Sequence, residues 1–110
     1  MILDKRKSEI MKSIKERFDE ARCLKVERML SIMSNPVRFH ILCALERDSF
    51  SVSELVELTG GKLSNVSQQL KMMTLAGYVR KERLGKQSIY TLSDDRIGEL
   101  IKKLEELFEA

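Results

Sequence analysis

Five residues between Leu63 and Met73, namely Ser64, Asn65, Ser67, Gln68 and Lys71, could do one kind of chemistry together. If the segment is helical, Leu63, Val66, Leu70 and Met73 recur at spacings of three, four and three and turn inward. The five then stand on the outer face, all able to hydrogen bond and none acidic. Short hydroxyl and amide side chains are suited to base edges in a major groove, and serine and glutamine also bond phosphate oxygens. A few residues on, Arg80, Lys81, Arg83 and Lys86 surround a glycine turn at Leu84-Gly85-Lys86, as side chains that track a phosphate backbone would. The plainer reading is a solvated helix followed by a solubilising basic loop. Solvated helices normally mix Glu with Lys, as both ends of this chain do.

Charge distribution supports the first reading. The net charge is only +3 over 110 residues. Residues 62–86 carry 6 basic and 1 acidic side chains, net +5, whereas residues 1–61 are net +1 and residues 87–110 net −3. The positive excess thus lies in one window, where a phosphate-facing surface needs it.

A second chemistry is suggested by Cys23, His40 and Cys43. Two cysteines without a C-x-x-C pair are too few for a disulfide scaffold, and free thiols in a reducing compartment are expected. Cys43 also reads as a small core residue, Cys23 as an indifferent helix-face residue. His40 lies three residues before Cys43, so both could reach one metal, although a histidine there is more often just a partly exposed helix residue. Met72 and Met73 read as packing. With one histidine, no glycine-rich phosphate loop and no clustered acid pair outside solvated faces, no catalytic residues, cofactor or enzyme activity are expected.

These groups need elements to hold them. A long amphipathic helix is expected over residues 7–33, with Met11, Ile14, Phe18 and Ala21 on one face. Asn35-Pro36 marks the next start, with asparagine as cap and proline at the first helical position. The helix VRFHILCALER follows and ends near Asp48. Ser51 and Glu54 have capping-box spacing for a third helix, which stops at Thr59-Gly60-Gly61. After the polar-faced helix over 63–74, Gly77 closes the turn and residues 78–92 alternate as a strand pair. Ser93 is expected to cap a last helix, with Asp94 and Asp95 in its first turn and Ile97, Leu100, Ile101, Leu104, Leu107 and Phe108 as its stripe. Such terminal stripes exceed what one small core can cover, so a second subunit is expected.

The stretches SNPVRFHILCAL and LSNVSQQLKMMTLAGYVRKERLGKQSIYTL resemble segments of the ArsR/SmtB repressors. They are similar to that family's N/D-P-x-R-x-x-I-L and S-x-V-S-x-H-L-x-x-L-x-x-A-G-L-V patterns, the latter followed by a wing ending in Y-x-L. The resemblance spans about residues 26–108. It implies a homodimer, built by the first and last helices, that leaves its operator when an inducer binds. Members that sense metal in the third helix carry Cys-x-Cys, where Ser51-Val52-Ser53 stands here, and serine does not replace a thiolate for soft metals. Members that sense zinc in the last helix use D-x-H and H-x-x-E; the matching positions hold Asp94, Arg96, Leu107 and Ala110. No metal site is therefore expected. Cys43 follows Ile41-Leu42 as a cysteine does in the family's redox- and sulfide-responsive branch. The second cysteine of those members, near the end of the last helix, has Glu109 in its region here. Cys23 is the one candidate partner.

The expected fold is mainly α with a two-stranded β wing, a winged helix-turn-helix. Residues 1–25 form an N-terminal dimerisation extension, 51–74 the helix-turn-helix, 78–92 the wing and 94–109 a C-terminal dimerisation helix. The expected function is sequence-specific repression on double-stranded operator DNA, released by a thiol-reactive signal. The alternatives are a metal-responsive repressor with an unusual Cys/His site, or a winged-helix protein-interaction module without DNA. The N-terminus MILDKRKSEIMK lacks a secretory apolar stretch and no segment is apolar enough to span a membrane, so a cytoplasmic location is expected.

Overall fold

A computed structural model describes residues 2–109 of the chain. It divides into two compact units at Ser31/Ile32. The first holds α1 (Ile2–Arg17) and most of α2 (Glu20–Met33). The single helix expected over residues 7–33 is therefore two, and the break needs neither glycine nor proline. Asp19 accepts the backbone N–H of Arg22 at 2.8 Å, so its carboxylate caps a new helix. Met11 and Ile14 on α1 and Phe18 just after it are all about half exposed (55%, 51% and 47%), so this unit leaves apolar surface uncovered.

The second unit follows from Ile32. Asn35 caps α3 (Pro36–Arg47), its Oδ1 accepting from the N–H groups of Val37 and Arg38 at 2.9 and 3.1 Å. Proline occupies the first helical position, where its missing N–H costs nothing. Ile41, Leu42 and Leu45 on α3 are buried and form the middle of the core. Around α3 pack α4 (Val52–Thr59), α5 (Leu63–Leu75), β3 (Gln87–Leu92) and α6 (Asp95–Leu107). Ser51 and Glu54 close the expected capping box on α4.

The turn between α4 and α5 is tight for a steric reason. Gly60 has φ +69° and ends α4 in the left-handed region. At Gly61 a Cβ would meet Val66 Cγ2 at 3.0 Å, so the absence of a side chain lets α5 start close against its neighbour. Val66, Leu70 and Met73 are fully buried on α5. Leu63, expected in the same stripe, is 57% exposed because it lies in the first turn, before the helix meets the core. Met72 is also exposed rather than packed.

The hairpin β2 (Val79–Leu84) and β3 turns at Gly85-Lys86, with Leu84 opposite Gln87 and Val79 opposite Leu92. The sheet has a third strand that the sequence pattern does not announce, β1 (Phe50–Ser51), in the order β1-β3-β2. Two residues are too short to show alternation, and pairing with β3 creates the strand, Phe50 opposite Tyr90 and Ser51 opposite Ile89. The last helix is capped by Asp94 and not by Ser93. Ser93 instead donates its hydroxyl to the Gly77 carbonyl at 2.9 Å, tying the wing's base to the end of α5. Of the α6 stripe, Ile97 and Ile101 are buried, Leu100 and Leu104 half-buried, and Leu107 and Phe108 mostly exposed.

Candidate nucleic-acid interface

On α5 the buried stripe leaves Ser64, Asn65, Ser67, Gln68 and Lys71 exposed together. Nothing on this helix is acidic, and of the five exposed side chains Ser64, Asn65 and Ser67 are short. Its first turn begins just past the Gly60-Gly61 turn, so α4 and α5 form a helix-turn-helix pair.

The wing arranges its cations less uniformly than their sequence suggests. Strand alternation puts Arg80 and Glu82 on one face, Lys81 and Arg83 on the other. Arg80 Nε lies 3.4 Å from Glu82 Oε1, and Lys81 Nζ sits 6.0 Å from the Tyr90 ring centre. Arg83 Nε donates to the Gly85 carbonyl at 3.3 Å, which folds it back over the turn beside Lys86. All four cations are exposed. Arg83 and Lys86 thus stand at the wing tip, while Arg80 already has a carboxylate neighbour.

Two residues that sequence spacing did not single out join this surface from below. Arg38 on α3 donates to Gln69 on α5, and Gln69 donates to Asn65. Gln69 falls between the buried stripe and the outer face, where spacing alone assigns it to neither. Arg38 stands in the Asn35-Pro36-x-Arg segment, whose arginine was the available signal.

The thiols lie elsewhere. Cys43 is half-buried beside a cavity of about 430 Å³ between α3 and α6, walled by Phe39, Ile101, Leu104 and Phe108 and rimmed by Glu46 and Glu105. Burial pushes its thiol above the ordinary value of 9.0, and the carboxylates of Glu46 and Glu105 push the same way. At neutral pH it is held as the thiol, the less nucleophilic form. Cys23 is also a free thiol, 3.8 Å from Glu27 Oε1, and it belongs to the first unit. His40 is exposed, next to Phe39. Among the described residues no three His, Cys, Asp or Glu side chains are placed to hold a metal ion. Ser51 is engaged in its capping box. Asp94 accepts a two-point contact from Arg96 at 2.7 and 2.9 Å, which holds its carboxyl below the usual carboxylate range. Leu107 cannot ligate, and Ala110 lies outside the described residues.

Residues 35–81 match the sequence pattern described as "Bacterial regulatory protein, arsR family". A biofilm growth-associated repressor of Xylella fastidiosa is 34% identical over 89 residues, covering 81% of this chain and 78% of that protein. The chain belongs to the arsR family. The crystal structure of the transcriptional repressor BigR from Xylella fastidiosa superposes with a TM-score of 0.78 at 34% identity, over 83% of this chain and 93% of that one. Reduced HlyU from Vibrio cholerae gives 0.77 at 29% identity, over 87% and 99%. The matched segment of this arsR-family member runs from the α3 cap through α5 into the wing, the stretch that holds the exposed polar face. Among the described residues, no helix is long and apolar enough to cross a membrane.

Proposed function

We propose that this arsR-family protein represses transcription as a homodimer on double-stranded operator DNA, in the cytoplasm. One observation carries the reading: the acid-free exposed face of α5, one tight turn from α4 and followed directly by a basic hairpin. In this assignment α5 enters the major groove, with Ser64, Ser67 and Gln68 as base-edge readers and Asn65 beside them. Lys71, Arg80, Lys81, Arg83 and Lys86 contact phosphates. The repressors among its relatives support the direction of control. The exposed apolar residues of α1 and of the end of α6 support a dimer built by the terminal helices.

A footprint of the homodimer on its own upstream region tests the reading. It should protect an imperfect palindrome with half-sites about one helical turn apart. Its affinity should fall steeply with salt, as phosphate neutralisation demands. Salt-independent binding, or none, overturns the proposal in favour of a protein-interaction module. Removing residues 1–20 should weaken the dimer, read by sedimentation at low micromolar concentration.

The releasing signal in this proposal is thiol-reactive and acts at Cys43, with Cys23 as the second thiol. The cavity beside Cys43 supports access by a small reagent, and modification there would alter how α3 meets α6. The raised pKa implies that modification speeds up as pH rises, since the thiolate fraction grows towards that pKa. Operator binding before and after an oxidant or a persulfide donor, in wild type, Cys23→Ser and Cys43→Ser, tests it. Full binding by treated wild type removes the thiol signal.

A further inference from the structure

Arg38 reaches from α3 to α5 and is fastened at both ends. Its Nε donates to the Ile32 carbonyl at 2.8 Å, and its Nη1 donates to Gln69 Oε1 at 3.0 Å. Gln69 Nε2 then donates to Asn65 Oδ1, one helical turn earlier, at 3.2 Å. Arg38 and Gln69 are half-buried and Asn65 is exposed, so the chain runs from shelter to the outer face.

The direction of this chain is dictated by chemistry. A guanidinium carries five N–H donors and no acceptor, so only the oxygen end of Gln69 can face Arg38. The amide nitrogen of Gln69 is thereby turned to Asn65, and only the oxygen of Asn65 can receive it. The amide nitrogen of Asn65, with its two N–H groups, is left wholly for an outside partner, while its oxygen is turned along the helix towards Gln69 with one of its two lone pairs taken. An exposed asparagine without such a relay can flip end for end and offers donor or acceptor alike. The paired contact to adenine needs both ends, the oxygen accepting from N6 and the nitrogen donating to N7. Guanine presents two adjacent acceptors, N7 and O6, and asks for donors only.

We infer that Arg38 is a positioning residue that sets the hydrogen-bond polarity of the reading face, making Asn65 a donor that selects guanine. This rests on α5 as the DNA-reading helix. Arg38 touches no DNA in this scheme and acts through Gln69.

The test is selection of bound sites from a randomised duplex pool by the full-length homodimer, followed by competition measurements on single-base variants. Wild type should prefer guanine at one position per half-site by about tenfold or more. Arg38→Met and Gln69→Glu should each cut that preference to less than about threefold, leaving preferences at other positions intact. Gln69→Glu keeps an oxygen towards Arg38 but has no N–H for Asn65, so it breaks the relay while keeping α3 joined to α5. It decides the matter if Arg38→Met fails to fold. Arg38→Lys, still donor-only, should retain the guanine preference, which a general loss of packing would not predict. An unchanged guanine preference in Arg38→Met or Gln69→Glu overturns the inference. So does an Asn65→Ala variant that weakens all duplexes alike, because Asn65 would then face a phosphate. If Ser64→Ala and Gln68→Ala also leave every base preference untouched, the fault lies with α5 as the reading helix and the relay falls with it.

Discussion

The helices α5 and α6 are both 13 residues long and both lay an apolar stripe on α3, yet their outward faces have opposite characters. On α6 most of the charges answer one another or their neighbours. Arg96 holds Asp94, Lys103 lies 3.5 Å from Glu106, Lys102 reaches Glu46 at 3.9 Å and Glu105 reaches Arg47 at 3.9 Å. Beyond them, Leu107 and Phe108 are 63% and 82% exposed. On α5 no acid is present to answer anything, and apart from the Arg38–Gln69–Asn65 chain its outward polar groups are left for an outside partner. The burial logic is shared, so the outward inventory separates a helix that can meet nucleic acid from one that can meet protein. Exposed ion pairs such as those on α6 add little stability, and in the proposed dimer they would border the apolar seam made by the end of the helix.

The largest test of this contrast is a charge in that seam. Leu104→Glu should raise the dimer dissociation constant by more than about a hundredfold, because a buried unpaired carboxylate costs on the order of 3 kcal/mol or more. Sedimentation as an intact dimer at low micromolar concentration would remove α6 from the interface. Next in size, Gln68→Ala should weaken operator binding by about 1–3 kcal/mol and barely affect random duplex. Equal losses on both DNAs would make Gln68 a phosphate contact and blur the distinction between the helices.

A smaller effect concerns how α6 starts. Asp94→Ala removes the cap and should destabilise the fold by about 1 kcal/mol, read by denaturant unfolding. The sign with pH follows from the lowered carboxyl. Asp94 stabilises above its unfolded value of 3.8, and that contribution fades as pH falls through the lower folded value. A cap that contributed equally on either side of that window would mean Arg96 is not what holds it. Smallest of all, Arg83→Ala or Lys86→Ala should weaken all duplexes about equally and make the salt slope shallower by roughly 0.9 for each phosphate no longer neutralised. Unchanged slopes in both variants would take the wing tip out of the interface, leaving α5 alone.

Wherever a residue carries its own local instruction, the fold could be read from the chain. Asn35-Pro36 starts α3, Ser51 with Glu54 starts α4, Gly60-Gly61 ends it, and Gly85 turns the wing. Each acts within four residues on backbone groups that need a partner. Of the expected stripe Leu63, Val66, Leu70 and Met73, the last three are buried as the helical period requires, while Leu63 in the first turn is exposed because a period says which face turns inward but not where along the helix the core begins. The break at Asp19 was hidden because a capping aspartate also passes for an ordinary charged helix residue. The cap at Asp94 was hidden because Ser93, Asp94 and Asp95 are all competent caps and the wing's base claims Ser93.

The sequence alone therefore determined the succession of α3, α4, α5, the wing hairpin and α6, the acid-free face of α5, the basic window beside it and the absence of the family's usual thiolate and histidine ligands. Tertiary structure decided what depends on partners far along the chain. It made a strand of Phe50–Ser51 by pairing it with β3, and split the wing cations between two faces. It joined Arg38 to Gln69 across 31 positions, and it put Cys43 in a pocket that raises its pKa. The physical reason is the same in each case. A periodic pattern says which side of an element turns inward, but hydrogen bonds and desolvation between elements exist only after packing has brought their atoms together.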